Sequence, residues 1–118
     1  MGALTAFGRE VRRLRFEREE TLRDMAAALK KSAAFISAVE IGEKSIPEGL
    51  VIEIARHFGL NEIGRRRLED AAAASVRSVT IQLASARDDE RELAAVFARR
   101  FPSLSDEKKE ALRRLLGE

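Results

Sequence analysis

A chain of 118 residues, 45% hydrophobic and 36% charged, has the length of one domain, or of one small domain with an oligomerising extension, and the composition of a globular chain. It has no cysteine, which excludes a disulfide framework and a thiolate metal site and suits a reducing interior. Net charge is only +2, shared about equally between the halves divided after Leu60, so any affinity for nucleic acid has to come from local placement of charge. No apolar run approaches the roughly 20 residues that span a bilayer, and the N-terminus lacks the apolar core of a signal peptide. The opening MGALTA has Ala6 where a myristoylation signal wants Ser or Thr. These features predict a soluble, cytoplasmic protein.

In chain order, Leu4, Phe7, Val11 and Leu14 recur at intervals of three and four, which predicts an amphipathic helix over residues 4–18. Arg9, Arg12, Arg13, Arg15 and Arg18 lie between them, either as a solvated face or, for Arg9, Arg12 or Arg13, as phosphate contacts. The next stretch, TLRDMAAALKKSAAFISAVEI at 21–41, reads as two short helices meeting at a tight turn. Thr21 caps the first, with Asp24 in its positive first turn, and Met25, Ala26 and Leu29 form its apolar face. Ser32 caps the second, in which Ile36 and Val39 point inward and Ala33, Ala34, Ser37 and Ala38 are left outside. Helices of about two turns are marginal alone, so neighbours must pack them. The spacing fits a helix-turn-helix, whose second helix is presented outward for the major groove.

Gly42 follows the second helix, where a left-handed cap costs little, and Pro47 presets the start of a further helix. Leu50, Val51, Ile54, Ala55 and Phe58 form that helix's apolar face, and Gly49 weakens its first turn by about 1 kcal/mol relative to alanine. Asn61 caps a fifth helix running through Ile63 and Leu68 into the alanines at 71–74, with Arg65, Arg66 and Arg67 on a wet face.

Residues 4 to about 70 resemble the XRE-type, lambda repressor-like helix-turn-helix family of five-helix DNA-binding domains. The resemblance rests on Phe7-Gly8, Val11 and Leu14-Arg15; on Thr21, Met25-Ala26 and Leu29; on Ser32, Ile36-Ser37 and Val39-Glu40; and on Gly42, Pro47 and Ile54-Ala55. It implies a small Ala26 where the following helix crosses, and a structural ion pair between Arg15 and Glu40. It also implies groove-facing Ser32, Ala33, Ala34, Ser37 and Ala38, with phosphate contacts from Lys30, Lys31, Lys44 and the N–H groups opening the second and third helices. The chain departs from the family pattern in three places. Lys30-Lys31 replaces the usual Gly and apolar residue of the turn, so Lys30 has to hold a left-handed conformation at a cost of order 1 kcal/mol. Leu22 replaces a polar first residue in the second helix. The recognition face is alanine-lined, so it can pack on thymine methyls but cannot form bidentate contacts with base edges, which give about 1–3 kcal/mol of discrimination each. Specificity then comes from methyl contacts, DNA shape and residues outside that helix, or else the face meets a protein.

Beyond Ser75, Val79, Ile81 and Leu83 alternate with Thr80 and Gln82, a period of two that predicts a short strand over residues 76–83 pairing with its copy across a two-fold axis. An extended linker or a continued helix is the alternative. Leu93, Val96 and Phe97 then mark a helix over residues 88–100, broken by Phe101-Pro102. Ser105-Asp106-Glu107 opens a last helix with the stripe Leu104, Ala111, Leu112, Leu115 and Leu116. The expected fold is mainly α: a five-helix domain at 1–75 and a dimerisation region at 76–118 of one strand and two helices. The expected dimer contacts are Val79, Ile81, Leu83, Leu93, Phe97, Leu112, Leu115 and Leu116.

His57 is the lone histidine and has no nucleophile or metal-ligand spacing around it, and no phosphate loop occurs, so the chain is read as a non-enzyme without metal or cofactor. The resulting expectation is a dimeric transcriptional regulator, a repressor of bacterial or phage type on an inverted-repeat operator, its own operon among the targets. The competing class is an interaction protein of the same fold, antitoxin-like or anti-activating, that sequesters a protein partner.

Overall fold

The structure, a computed structural model, describes residues 3–117; Met1 and Gly2, weighed above as a myristoylation signal, and Glu118 lie outside it. The chain divides into two compact units, the first reaching Ser78 and the second starting at Val79.

The first unit holds α1 (Ala6–Glu17), α2 (Leu22–Ala28), α3 (Ala33–Glu40), α4 (Leu50–His57) and α5 (Glu62–Ala73). Four of these begin at a side-chain oxygen that takes an N–H left over by the helical ladder. The Thr5 hydroxyl accepts from Gly8 N at 3.0 Å, Ser32 from Phe35 N at 3.0 Å and Asn61 from Gly64 N at 2.8 Å. Thr21 and Asp24 cap reciprocally, at 3.0 and 3.1 Å. Because Thr5 is the cap, α1 starts at Ala6, and Leu4 precedes the helix instead of belonging to its first turn. Pro47 likewise does not open α4. Its carbonyl accepts from Leu50 N at 3.1 Å in a turn, and Gly49 stands at φ +86° as the N-cap, a conformation that glycine adopts without a Cβ penalty.

Burial follows the apolar periodicity. Phe7, Val11 and Leu14 of α1, Met25 and Ala26 of α2, Ile36 and Val39 of α3, Leu50, Ile54 and Ala55 of α4, Phe58 at its end and Leu68 of α5 form one buried cluster. Of the two large apolar residues of α5, Leu68 is buried and Ile63 is 79% exposed. It lies five residues before Leu68, about 140° round the helix, so both cannot face the core.

Lys30 takes φ +59° in the α2–α3 turn. There Lys31 N bonds Ala26 O at 2.9 Å and Lys30 N bonds Ala27 O at 3.1 Å, the two bonds of a left-handed helix stop. A side chain is strained at this φ, so Lys30→Gly should raise stability by about 0.5–1 kcal/mol, read as an upward shift of a few degrees in the thermal midpoint.

The second unit holds α6 (Asp88–Arg100), a 3-10 turn at Phe101–Ser103 and α7 (Asp106–Leu115). Pro102 stands inside that turn, where its missing N–H ends α6, and Ser105 caps α7 at Lys108 N, 3.2 Å. The first turns are acidic and the last turns basic, as the helix dipole favours.

The expected strand is absent: there is none among the described residues, and 76–83 is irregular. Period-two alternation describes an extended chain, but a strand exists only through a ladder partner, and here the carbonyls of Leu83 and Ala84 are taken at 3.0 Å by the Arg91 side chain. Val79 and Ile81 are exposed and Leu83 is half-buried, and none of the three has the strand backbone expected of it.

Candidate nucleic-acid interface

The α2–α3 pair is short, and its geometry is set by what grips α3 from behind. Ile36 and Val39 are buried, Phe35 is half-buried on the same cluster, and the last residue of the helix is the anchor. The Glu40 carboxylate meets the Arg15 guanidinium of α1, with one of the two contacts at 3.3 Å, and the two side chains are 6% and 8% exposed. The Glu40 carbonyl accepts from both Thr5 N and the Thr5 hydroxyl at 3.0 Å. Gly8 lies directly against that carbonyl, so that a Cβ there would come within 2.1 Å of the oxygen. The Arg15–Glu40 pair had a sequence signal. The part played by Gly8 had none beyond the family pattern and that of Thr5 had none at all, because a backbone carbonyl leaves no mark on composition.

Held this way, α3 turns Ala34 to solvent and leaves Ser37 and Ala38 half-exposed beside it. Ala33 departs from the expected grouping. It is half-buried and leans on the core, since it lies one turn before Ile36 and shares that residue's inward side. Ser32, Lys30, Lys31 and Lys44 are exposed. The outer face carries no carboxylate, because the single acid of α3 is Glu40, turned inward. Ser32 uses its hydroxyl on Phe35 N, which leaves the N–H groups of Ala33 and Ala34 without an intrahelical partner. The backbone N–H groups of Glu43 and Lys44 return to Ala38 O at 2.9 and 3.2 Å, so Lys44 sits beside the last turn of α3.

The arginines of α1 separate by partner. Arg13 is bound to Glu10 at 2.6 Å and Glu17 at 2.5 Å, and Arg9 donates to Leu4 O at 2.8 Å. Arg18 donates to Phe58 O at 3.0 Å and lies over the Phe58 ring. Arg12 is exposed without an ion pair among the described residues and lines an open concavity with Ser37 and Leu22. Of the three arginines considered for phosphate, Arg13 is therefore neutralised by carboxylates, whereas Arg9 and Arg12 have no ion pair among the described residues and Arg12 alone has no side-chain hydrogen bond there. Glu10 is buried, and its hydrogen bond to Arg13 holds its carboxyl below the usual range against the opposing effect of burial, with Arg67 of α5 adding a contact at 3.2 Å. Arg67 thus ties α5 to α1 and is not part of a free wet face.

His57 Nε2 lies 2.5 Å from Glu20 Oε1, a link between α4 and the segment before α2. No group of three or more His, Cys, Asp or Glu able to hold a metal ion occurs among the described residues, and no described helix is long and apolar enough to cross a membrane. One residue that the sequence left unassigned joins this side of the unit: Arg77 donates to Gly42 O at 2.9 Å.

Searches of curated proteins and of solved structures found no match. A family model described as a helix-turn-helix domain does match, over residues 6–68. It runs from the first residue of α1 to Leu68, the buried residue of α5, and takes in the α2–α3 pair together with the Arg15–Glu40 anchor, consistent with the resemblance to XRE-type regulators. Since that span is more than half of the chain and coincides with the five-helix body, the chain belongs to the helix-turn-helix domain family.

Proposed function

We propose that this protein is a sequence-specific transcriptional regulator, a homodimeric repressor that works in the cytoplasm, lays α3 in the major groove of an inverted-repeat operator and has its own operon among its targets. The observation that carries the reading is the outer face of α3: Ala34, Ser37 and Ala38 without a carboxylate, and the exposed cations Lys30, Lys31 and Lys44 at its two ends. Methyl groups on this face pack against thymine methyls, Ser37 supplies one hydrogen bond, and the lysines and the free N–H groups of Ala33 and Ala34 meet phosphate.

Dimerisation is supported by the second unit. Neither α6 nor α7 buries a residue, Leu93, Leu115 and Leu116 are exposed, and Phe97 is 40% exposed. A unit of this size has too little interior to hold itself together, and a second copy covering Leu93, Phe97, Leu112, Leu115 and Leu116 supplies one. Joining two modest half-sites raises affinity by roughly two to four orders of magnitude, which a face without bidentate readers needs. The half-sites then lie about one helical turn apart. The same alanine-lined face favours a second reading, an anti-activator or antitoxin-like protein that grips a partner protein.

A gel-shift series on the DNA upstream of its own gene, with salt varied, separates the two. A groove binder loses affinity steeply as salt rises, whereas a partner-sequestering protein shifts no band at any salt. Ala34→Glu places a carboxylate on the most exposed point of the face and should abolish operator binding while the circular dichroism spectrum and the dimer mass in sedimentation stay those of the parent. Unchanged affinity in that variant removes α3 from the groove.

A further inference from the structure

We propose that the concavity between the turn after α3 and the end of the first unit is a phosphate-binding site, with Lys44 and Arg77 as its cations. It encloses about 190 Å³. Lys44, Arg77 and four hydroxyl residues, Thr5, Ser45, Ser75 and Ser78, line it among apolar neighbours, and no acidic residue does. That is a one-sided choice in a chain whose acids nearly equal its bases, and it is the composition that favours an anion with several acceptor oxygens.

The hydroxyls divide by what they already do. Thr5 is committed to Glu40 O and Gly8 N, and Ser75 to Phe7 N and Ala71 O. They are the fixed wall. Ser45 and Ser78 have no such bond among the described residues and remain available. Arg77 spends one N–H on Gly42 O, which fixes the guanidinium beside the turn and leaves the rest of its donors for a ligand. Lys44 has no ion pair among the described residues and sits next to Ala38 through its backbone bond to that carbonyl. The site therefore adjoins the last turn of α3, whose outer face is assigned above to the groove.

The ligand chemistry is a phosphate group, supplied by the DNA backbone or by a free phosphorylated small molecule. The DNA source rests on the function proposed above; the free source does not. The test uses the full chain and a mixed-sequence duplex of about 30 base pairs, since phosphate contacts do not read sequence. Arg77→Gln should reduce the slope of log affinity against log salt by about 0.9, the release of one counterion, while Arg77→Lys keeps the parent slope. An unchanged melting midpoint in both variants shows that the fold is intact. The second arm titrates inorganic phosphate and follows the amide NMR shifts of Ser45 and Ser78. A reduced slope assigns the site to the DNA backbone. An unchanged slope with phosphate-dependent shifts that vanish in Arg77→Gln assigns it to a free ligand. An unchanged slope with unmoved amides overturns the site. If the parent chain binds no duplex even at low salt, the regulatory reading fails, and the phosphate titration alone still decides this one.

Discussion

Glu40→Ala should destabilise the first unit by about 3–5 kcal/mol, because it strands the Arg15 guanidinium in a place where its side chain is only 8% exposed. Truncating one partner of a buried pair removes the attraction and leaves the desolvation of the other charge uncompensated. A domain of this size commonly has only about 4–11 kcal/mol in total, so the loss is a large share of it. Urea unfolding with an unchanged m-value is the measurement. The backbone part of the anchor, the two bonds from Thr5 to the Glu40 carbonyl, does not depend on the side chain and should survive. The double replacement of Arg15 and Glu40 by methionine is therefore expected to recover most of the loss, since packed apolar groups often substitute for a buried pair without penalty. A loss below about 1 kcal/mol for Glu40→Ala would put the pair in the class of surface ion pairs, and the anchoring of α3 would have to lie elsewhere.

Gly8→Ala is expected to cost about 3 kcal/mol, although alanine is the better helix former by about 1 kcal/mol. The added methyl would come 2.1 Å from Glu40 O, 2.9 Å from its carbonyl carbon and 3.0 Å from its Cα, all backbone atoms that no rotamer change can move away. Nor can the carbonyl turn aside, because Thr5 holds it through N and hydroxyl together. The relief left is separation of α1 from α3, which lengthens the Arg15–Glu40 contact and shifts the face carrying Ala34, Ser37 and Ala38. Thermal melting should fall by roughly 12–24 °C at the usual conversion for a small domain, and DNA affinity, on the proposed function, should fall with it. A variant that melts at or above the parent temperature would mean that the two backbones are not in contact.

These two variants mark where the legibility of the sequence ends. Glu40 and Arg15 can be paired on paper because their types and places match a family pattern. Gly8 is quoted in the same pattern without its reason, which is a carbonyl oxygen 32 positions away. The same division runs through the candidate site. The outward direction of Ala34 is readable from the inward periodicity of Ile36 and Val39. That Ala33 leans on the core, that Arg13 is neutralised while Arg12 is not, and that Arg77 reaches Gly42 are not readable, because each depends on which helix lies alongside.

The chain by itself determined what is local or periodic: the caps at Thr21, Ser32, Asn61 and Ser105, the left-handed Lys30, the apolar stripes of α1 to α4 and the bounds of α6. Those are settled within one or two turns by hydrogen bonds and sterics that neighbouring residues supply. Tertiary structure decided the rest. It determined that 76–83 is irregular within one chain, which of Ile63 and Leu68 faced inward, where α4 began after the Pro47 turn, and how closely α1 approached the end of α3. A strand, an inward face and a backbone contact are each a relation between two segments, and one segment's sequence specifies only its own half of it.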